Sequence, residues 1–132
     1  MILSSLVKGT DLVLVGAGGA IGSVVRYLVS GFVQRADLWG SFPAGTLSVN
    51  LIGCTVIGIL GGLSDSRYLF PSGARLFVFI GILGGFTTFS TLSFETVALL
   101  RGGEAAKATL NAGASLLLCL VGTWLGYGLA SR

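Results

Sequence analysis

The chain has no histidine, and among its 132 residues only eight are Lys or Arg and five Asp or Glu. Without an imidazole, an acidic cluster or a nucleophile placed beside a base, none of the usual catalytic constellations can be assembled, and the sequence reads as a non-enzyme. Cysteine is nearly missing as well. Cys54 and Cys119 both fall inside long apolar stretches, where a small apolar packing role is expected in place of a disulfide or a metal site. Charged residues make up 10% of the chain against 53% hydrophobic, and the mean hydropathy is +0.93. That balance excludes an ordinary soluble domain and indicates an integral membrane protein.

What is present is long apolar sequence. Four windows satisfy the requirement of about 20 predominantly apolar residues per spanning helix: Leu12 to Val33, Ala44 to Ser64, Leu76 to Phe94 and Ala108 to Ala130. Arg26 is the single charge inside them. With their flanks, the spans are expected over 12–33, 44–64, 76–98 with a break near 84–88, and 106–130, as one transmembrane domain over 1–132. The segment from Met1 to Asp11 is brief and runs into a full-length span, so no cleavable leader is expected. The connections, Gln34 to Pro43, Asp65 to Gly73 and Leu99 to Lys107, are too short for an extramembrane domain.

Glycine occurs 22 times, and each span carries a pair four residues apart: Gly18 and Gly22, Gly58 and Gly62, Gly81 and Gly85, Gly122 and Gly126. This spacing puts both members on one helix face and lets backbones approach closely, within the chain in preference to a dimer seam. Four slim helices pack solid, so a conduction pathway is expected between subunits and not through one. Orientation follows the excess of Lys and Arg on the cytoplasmic side. The side with both termini and the second connection holds Lys8, Arg67, Arg75 and Arg132, and the other side Arg35, Arg101 and Lys107. So even a distribution predicts both orientations, with opposite copies pairing.

Polar groups inside spans are expensive and therefore candidates for function. Arg26 is one, unless it snorkels to the headgroups. Asn50 is another, with helix-to-helix bonding as its alternative role. The third candidate is a stretch: GGFTTFSTLSFET, from Gly84 to Thr96, with six hydroxyls and the carboxylate of Glu95. Hydroxyls can bond back to carbonyls one turn earlier, with the carboxylate beside Arg101 at the membrane edge. But two glycines followed by two threonines also form a poor helix, and helices break in membranes only where the freed carbonyls are buried or bind something. Hydrogen-bond donors outnumber negative charge, which fits a small anion as cargo better than a cation, and carbonyls freed near Gly84 suit a cation separately.

The combination of GTLSVNL (45–51), the 84–96 stretch and GSVVR (22–26) in a four-span chain resembles the Fluc family of microbial fluoride channels, the CrcB type. The resemblance implies an all-α membrane protein, working as an antiparallel dual-topology homodimer with two fluoride pores along the subunit interface. It implies a structural sodium at the dimer centre on the carbonyls of Gly84 and Thr87, two from each subunit. Asn50 would donate to fluoride. Phe89 matches the first ring of the family's phenylalanine box, whose ring edges face the ion. Ser90, Thr91, Glu95 and Thr123 match a polar track, and Arg26 an arginine near the vestibule. Two positions depart from the pattern. Leu92 stands where the second box phenylalanine is expected, and Cys119 replaces a serine of the polar track with a weaker donor. Lipid bilayer and a second copy are the implied partners, with no nucleic acid and no other protein. Passive export of fluoride across a bacterial or archaeal plasma membrane is the implied role. A small multidrug transporter has a similar size but needs an acid within the first span, and a scaffold protein would leave Asn50 and the hydroxyls without purpose.

Overall fold

A computed structural model describes residues 7–36, 40–67 and 70–132. Its elements are all helical: α1 (Gly9–Arg35), α2 (Ala44–Arg67), α3 (72–86), α4 (Phe89–Arg101) and α5 (Ala105–Ala130). Helices α3 and α4 together make one span, Ser72–Arg101, so among the described residues four segments are long and apolar enough to cross a membrane. The helices exceed the expected spans at most ends, because the apolar window marks the hydrocarbon while hydrogen bonding continues into the headgroup layer. At about 1.5 Å per residue, the 27 residues of α1 reach about 40 Å, the thickness of a bilayer with its interfaces. The connection expected over Leu99 to Lys107 shrinks to Gly102, Gly103 and Glu104, with Gly103 in the left-handed region at φ +78°.

Small residues set the packing. A Cβ on Gly22 would collide with the Ile82 carbonyl and come within 2.8 Å of the Phe86 nitrogen. On Gly126 it would lie 2.7 Å from the Thr55 carbonyl. All eight glycines of the four spaced pairs meet another helix of the same chain in this way, so they serve intramolecular contact, as the spacing predicts. The outcome is two tight pairs, α1 on α3 and α2 on α5. Helix α1 also packs on α2, and α4 packs on α5. The two halves of the third span thus lean on different partners. At the aqueous ends, the Tyr127 hydroxyl donates to Asp65 at 3.0 Å and Arg75 Nη1 donates to the Ser64 hydroxyl at 2.9 Å.

The break differs in place from the simplest reading of its glycines. Gly84 to Phe86 remain helical, and Gly85 serves close approach, its absent side chain facing the Gly19 carbonyl. The chain instead leaves the helix at Thr87 and Thr88, which are extended (φ/ψ −84/155° and −153/122°). Ahead of the break, Leu76–Leu83 is wound as a π-helix, for which the sequence carries no recognisable signal.

Candidate functional site

Asn50 sits on α2 opposite the break, almost fully buried, and holds Thr88 by both ends of its amide. Its Nδ2 donates to the Thr88 carbonyl at 2.9 Å, and its Oδ1 accepts the Thr88 N–H at 2.8 Å. In an uninterrupted helix that N–H would bond the Gly84 carbonyl four residues back. Thr88 performs a second substitution: as N-cap of α4 its hydroxyl accepts the Thr91 N–H at 3.2 Å, a donor that would otherwise serve the Thr87 carbonyl. Two side chains therefore release two backbone carbonyls, those of Gly84 and Thr87. From α1, Arg26 Nη1 approaches the Thr87 carbonyl at 3.5 Å, the outer limit of a hydrogen bond, and turns toward the break instead of out to the headgroups. A carbonyl has two lone pairs, so this contact leaves capacity for another partner. The donor set at the break thus fits a hard, oxygen-seeking cation.

Beside the break opens a groove of about 760 Å³ between α2, α4 and α5. Polar residues enter it at four-residue intervals. Asn50 and Cys54 lie on one face of α2, and Ser115, Cys119 and Thr123 on one face of α5. Phe89 and Leu92 supply the α4 wall. The Thr123 hydroxyl donates to the Cys54 carbonyl at 2.9 Å, fixing α5 against α2 beside the groove. Ser90 and Thr91 lie outside this groove. Their hydroxyls join Thr88 at 3.2 and 3.0 Å in an exposed cluster at the α4 N-terminus. Of the other hydroxyls in the stretch, those of Thr87, Ser93 and Thr96 bond back to carbonyls four residues earlier.

Glu95 occupies a different recess, of about 420 Å³, bordered by Gln34, Ser41, Thr46 and Glu104. Its partner is the Thr46 hydroxyl at 2.7 Å and not Arg101, and its second oxygen, Oε2, is buried without a hydrogen bond. At the mouth, Glu104 pairs with Lys107 and accepts from the Ser41 hydroxyl at 2.8 and 2.9 Å. Lys107 above all, then Ser41, holds the Glu104 carboxyl below the usual carboxylate range.

Residues 13–127 match the family described as CrcB-like protein, Camphor Resistance (CrcB). The chain belongs to the CrcB family. A relative from Geobacter sulfurreducens is 48% identical over 89% of this chain and 94% of its own length. One from Thermus thermophilus is 52% identical over 88% and 90%, and one from Methylobacillus flagellatus 44% identical over 90% and 93%. Each of these relatives is described as a fluoride-specific ion channel FluC.

In this CrcB-type membrane protein, the expected site residues divide among four neighbouring places, with Ser90 and Thr91 in the exposed cluster at the α4 N-terminus. Asn50, Phe89, Leu92, Cys119 and Thr123 border the groove, Gly84, Thr87 and Arg26 gather at the break, and Glu95 faces the recess. Sequence reasoning passed over Thr46, Asn111 and Ser115. Asn111 is fully buried and donates to the Thr96 hydroxyl at 3.0 Å, while its Oδ1 and the Ser115 hydroxyl are buried without partners. A signal existed: Asn111, Ser115, Cys119 and Thr123 recur every four residues, as do Thr46, Asn50 and Cys54.

Proposed function

We propose that this chain is a passive, fluoride-selective channel that exports cytoplasmic fluoride across a bacterial or archaeal plasma membrane, assembled as an antiparallel dual-topology homodimer. What carries the reading is kinship: relatives 44–52% identical along nearly the whole chain bear the description of fluoride-specific ion channels. The groove supports it, because Asn50, Cys54, Cys119 and the Phe89 ring border it and leave a strongly hydrated anion partners to exchange for water. Fluoride gains more from dense donors than chloride does, being smaller and holding its charge closer.

In this reading Asn50 is both clamp and ligand. One N–H of its amide is engaged by Thr88, and the second is available to the ion. The edge of the Phe89 ring adds the positive rim of its quadrupole, Ser90 and Thr91 continue the donor track with Cys119, and Thr123 joins it by turning its hydroxyl from the Cys54 carbonyl to the ion. Leu92 contributes apolar wall without a ring edge. Arg26 raises the local positive potential for arriving anions, and Glu95, bonded to Thr46, terminates the track. The freed carbonyls of Gly84 and Thr87 would hold sodium at the centre of the dimer, two from each subunit. A sodium there neutralises converging carbonyl dipoles and ties the copies together.

The purpose follows from acid chemistry. Neutral hydrogen fluoride enters by diffusion, ionises at cytoplasmic pH and leaves as the anion, helped by about 2.3 kcal/mol per 100 mV of interior-negative potential. Proton-coupled export of cationic drugs is disfavoured, since α1 carries Arg26 at depth and its acid, Asp11, only in the first turn. Purified protein in liposomes, followed with a fluoride-selective electrode, should release fluoride on addition of a potassium ionophore and retain chloride. Fluoride retention equal to that of protein-free liposomes overturns the function. Thiol labelling that finds one orientation only in native membranes overturns the antiparallel dimer.

A further inference from the structure

Cys54 and Cys119 stand far apart in sequence, yet the register of α2 on α5 sets them level: Gly58 meets Thr123 and Gly62 meets Tyr127, and the two cysteines each lie one turn before Gly58 and Thr123. Both border the same open groove, one from each wall. Their separation is held by neighbouring contacts: the Thr123 hydroxyl on the Cys54 carbonyl at 2.9 Å one turn beyond Cys119, and Gly126 against the Thr55 backbone at 2.7 Å. Neither side of this joint can slide without breaking a part-buried hydrogen bond or forcing backbone into backbone. Neither thiol forms a disulfide, and both are half-buried.

We propose that Cys54 and Cys119 form a dithiol site for trivalent arsenicals and related thiophilic, divalent-binding reagents, and that its occupation obstructs the groove. With phenylarsine oxide, both S–H bonds and the arsenic–oxygen bond break and two As–S bonds form. The oxygen departs as water with both thiol protons, and arsenic stays trivalent, so no oxidant is required. The groove suits such a reagent: at about 760 Å³ it admits a phenyl ring, with Phe89, Leu92, Leu116 and Leu120 as apolar neighbours. A neutral, lipid-soluble arsenical also reaches a thiol at membrane depth where charged reagents do not. Selectivity comes from ring closure. Once the first As–S bond forms, the second is intramolecular and the fixed helices supply a high effective concentration, whereas a single thiol releases the arsenical to competing monothiols. The obstruction half of the proposal rests on the fluoride-channel reading; the binding half does not.

The test uses the full chain in liposomes and in detergent, treated with phenylarsine oxide and washed with excess monothiol. Intact-mass measurement should find one arsenical per chain, removed by 2,3-dimercaptopropanol and missing from Cys54→Ala and from Cys119→Ala. Fluoride efflux of the treated protein should fall several-fold relative to its own untreated sample and recover with the dithiol, while each variant's efflux is unchanged by treatment. No adduct on the native chain, or an adduct that survives the monothiol wash in either variant, overturns the dithiol site. A full adduct with undiminished efflux overturns the obstruction. If the untreated protein passes no fluoride, the channel reading falls, the obstruction falls with it, and the mass measurement alone decides the site.

Discussion

Replacing Asn50 by aspartate keeps the shape of the side chain and the acceptor for the Thr88 N–H, but removes the donor that now sits 2.9 Å from the Thr88 carbonyl. Two penalties follow. The Thr88 carbonyl loses its partner and faces a carboxylate oxygen, an unsatisfied buried group of about 1–3 kcal/mol. An anion within about 4 Å of the new charge is repelled by about 4 kcal/mol at an effective dielectric of about 20. At roughly 1.4 kcal/mol per factor of ten, the second effect alone slows passage by about a thousandfold. A membrane potential supplies only about 2.3 kcal/mol per 100 mV across the full thickness, so driving force does not compensate. Asn50→Ala separates the two, because it loses the clamp without adding charge. Efflux from proteoliposomes should therefore rank native, then Asn50→Ala, with Asn50→Asp at the level of protein-free liposomes. Native-like flux through Asn50→Asp would refute the assignment of Asn50 to the anion's route.

The remaining predictions probe packing, capping, groove shape and the aqueous rim. Gly22→Ala drives a methyl into the Ile82 carbonyl and should destabilise by about 1–3 kcal/mol, whereas Gly16→Ala, with open space around it, should change stability by less than about 0.5 kcal/mol; thermal unfolding in detergent reads both. Thr88→Ala removes the N-cap of α4 and should lower stability by about 1 kcal/mol in the same measurement, with Thr88→Ser restoring most of it. Leu92→Phe places a ring against open groove and should retain both fold and fluoride flux, checked by chromatography and electrode. Glu104, depressed by Lys107 and Ser41, keeps its contacts above the ordinary carboxylate range and loses them only as pH falls through its lowered value. A carboxyl-carbon titration should show that depressed midpoint, and Lys107→Met should move it upward.

The membrane class and the number of spans were legible because hydrophobic length is a strong signal, and four windows had no competitor. The spaced glycines were legible for the same reason: the spacing states which face is small, and the structure shows what each face meets. The break was legible in region but not in residue. Gly84, Gly85, Thr87 and Thr88 together marked it, whereas the deciding groups are the Asn50 amide, 38 positions from Thr88 in sequence, and Thr88 as cap of α4. Long-range competition for a backbone N–H leaves no local pattern. Glu95 was legible as the carboxylate that ends the hydroxyl stripe, but its partner Thr46 was not, because pairing across 49 positions depends on how α2 and α4 meet. The α5 stripe from Asn111 to Thr123 was present in the four-residue spacing but is thin beside the denser hydroxyl stretch, with one polar residue per turn among leucines.

Interruption at Thr87 and Thr88 also governs the order in which the chain can be completed. Helices α1, α2 and α3 can settle against one another as soon as the first 86 residues have entered the bilayer, since α3 leans on α1. Helix α4 meets α2 only lightly, through the Glu95–Thr46 hydrogen bond, and packs mainly on α5, which follows after only Gly102, Gly103 and Glu104. A late hairpin, α4 with α5, thus docks onto α2 and closes the wall of the groove. A truncation after Arg101 should leave α4 in the lipid with its hydroxyls unsheltered, a substrate for membrane quality control.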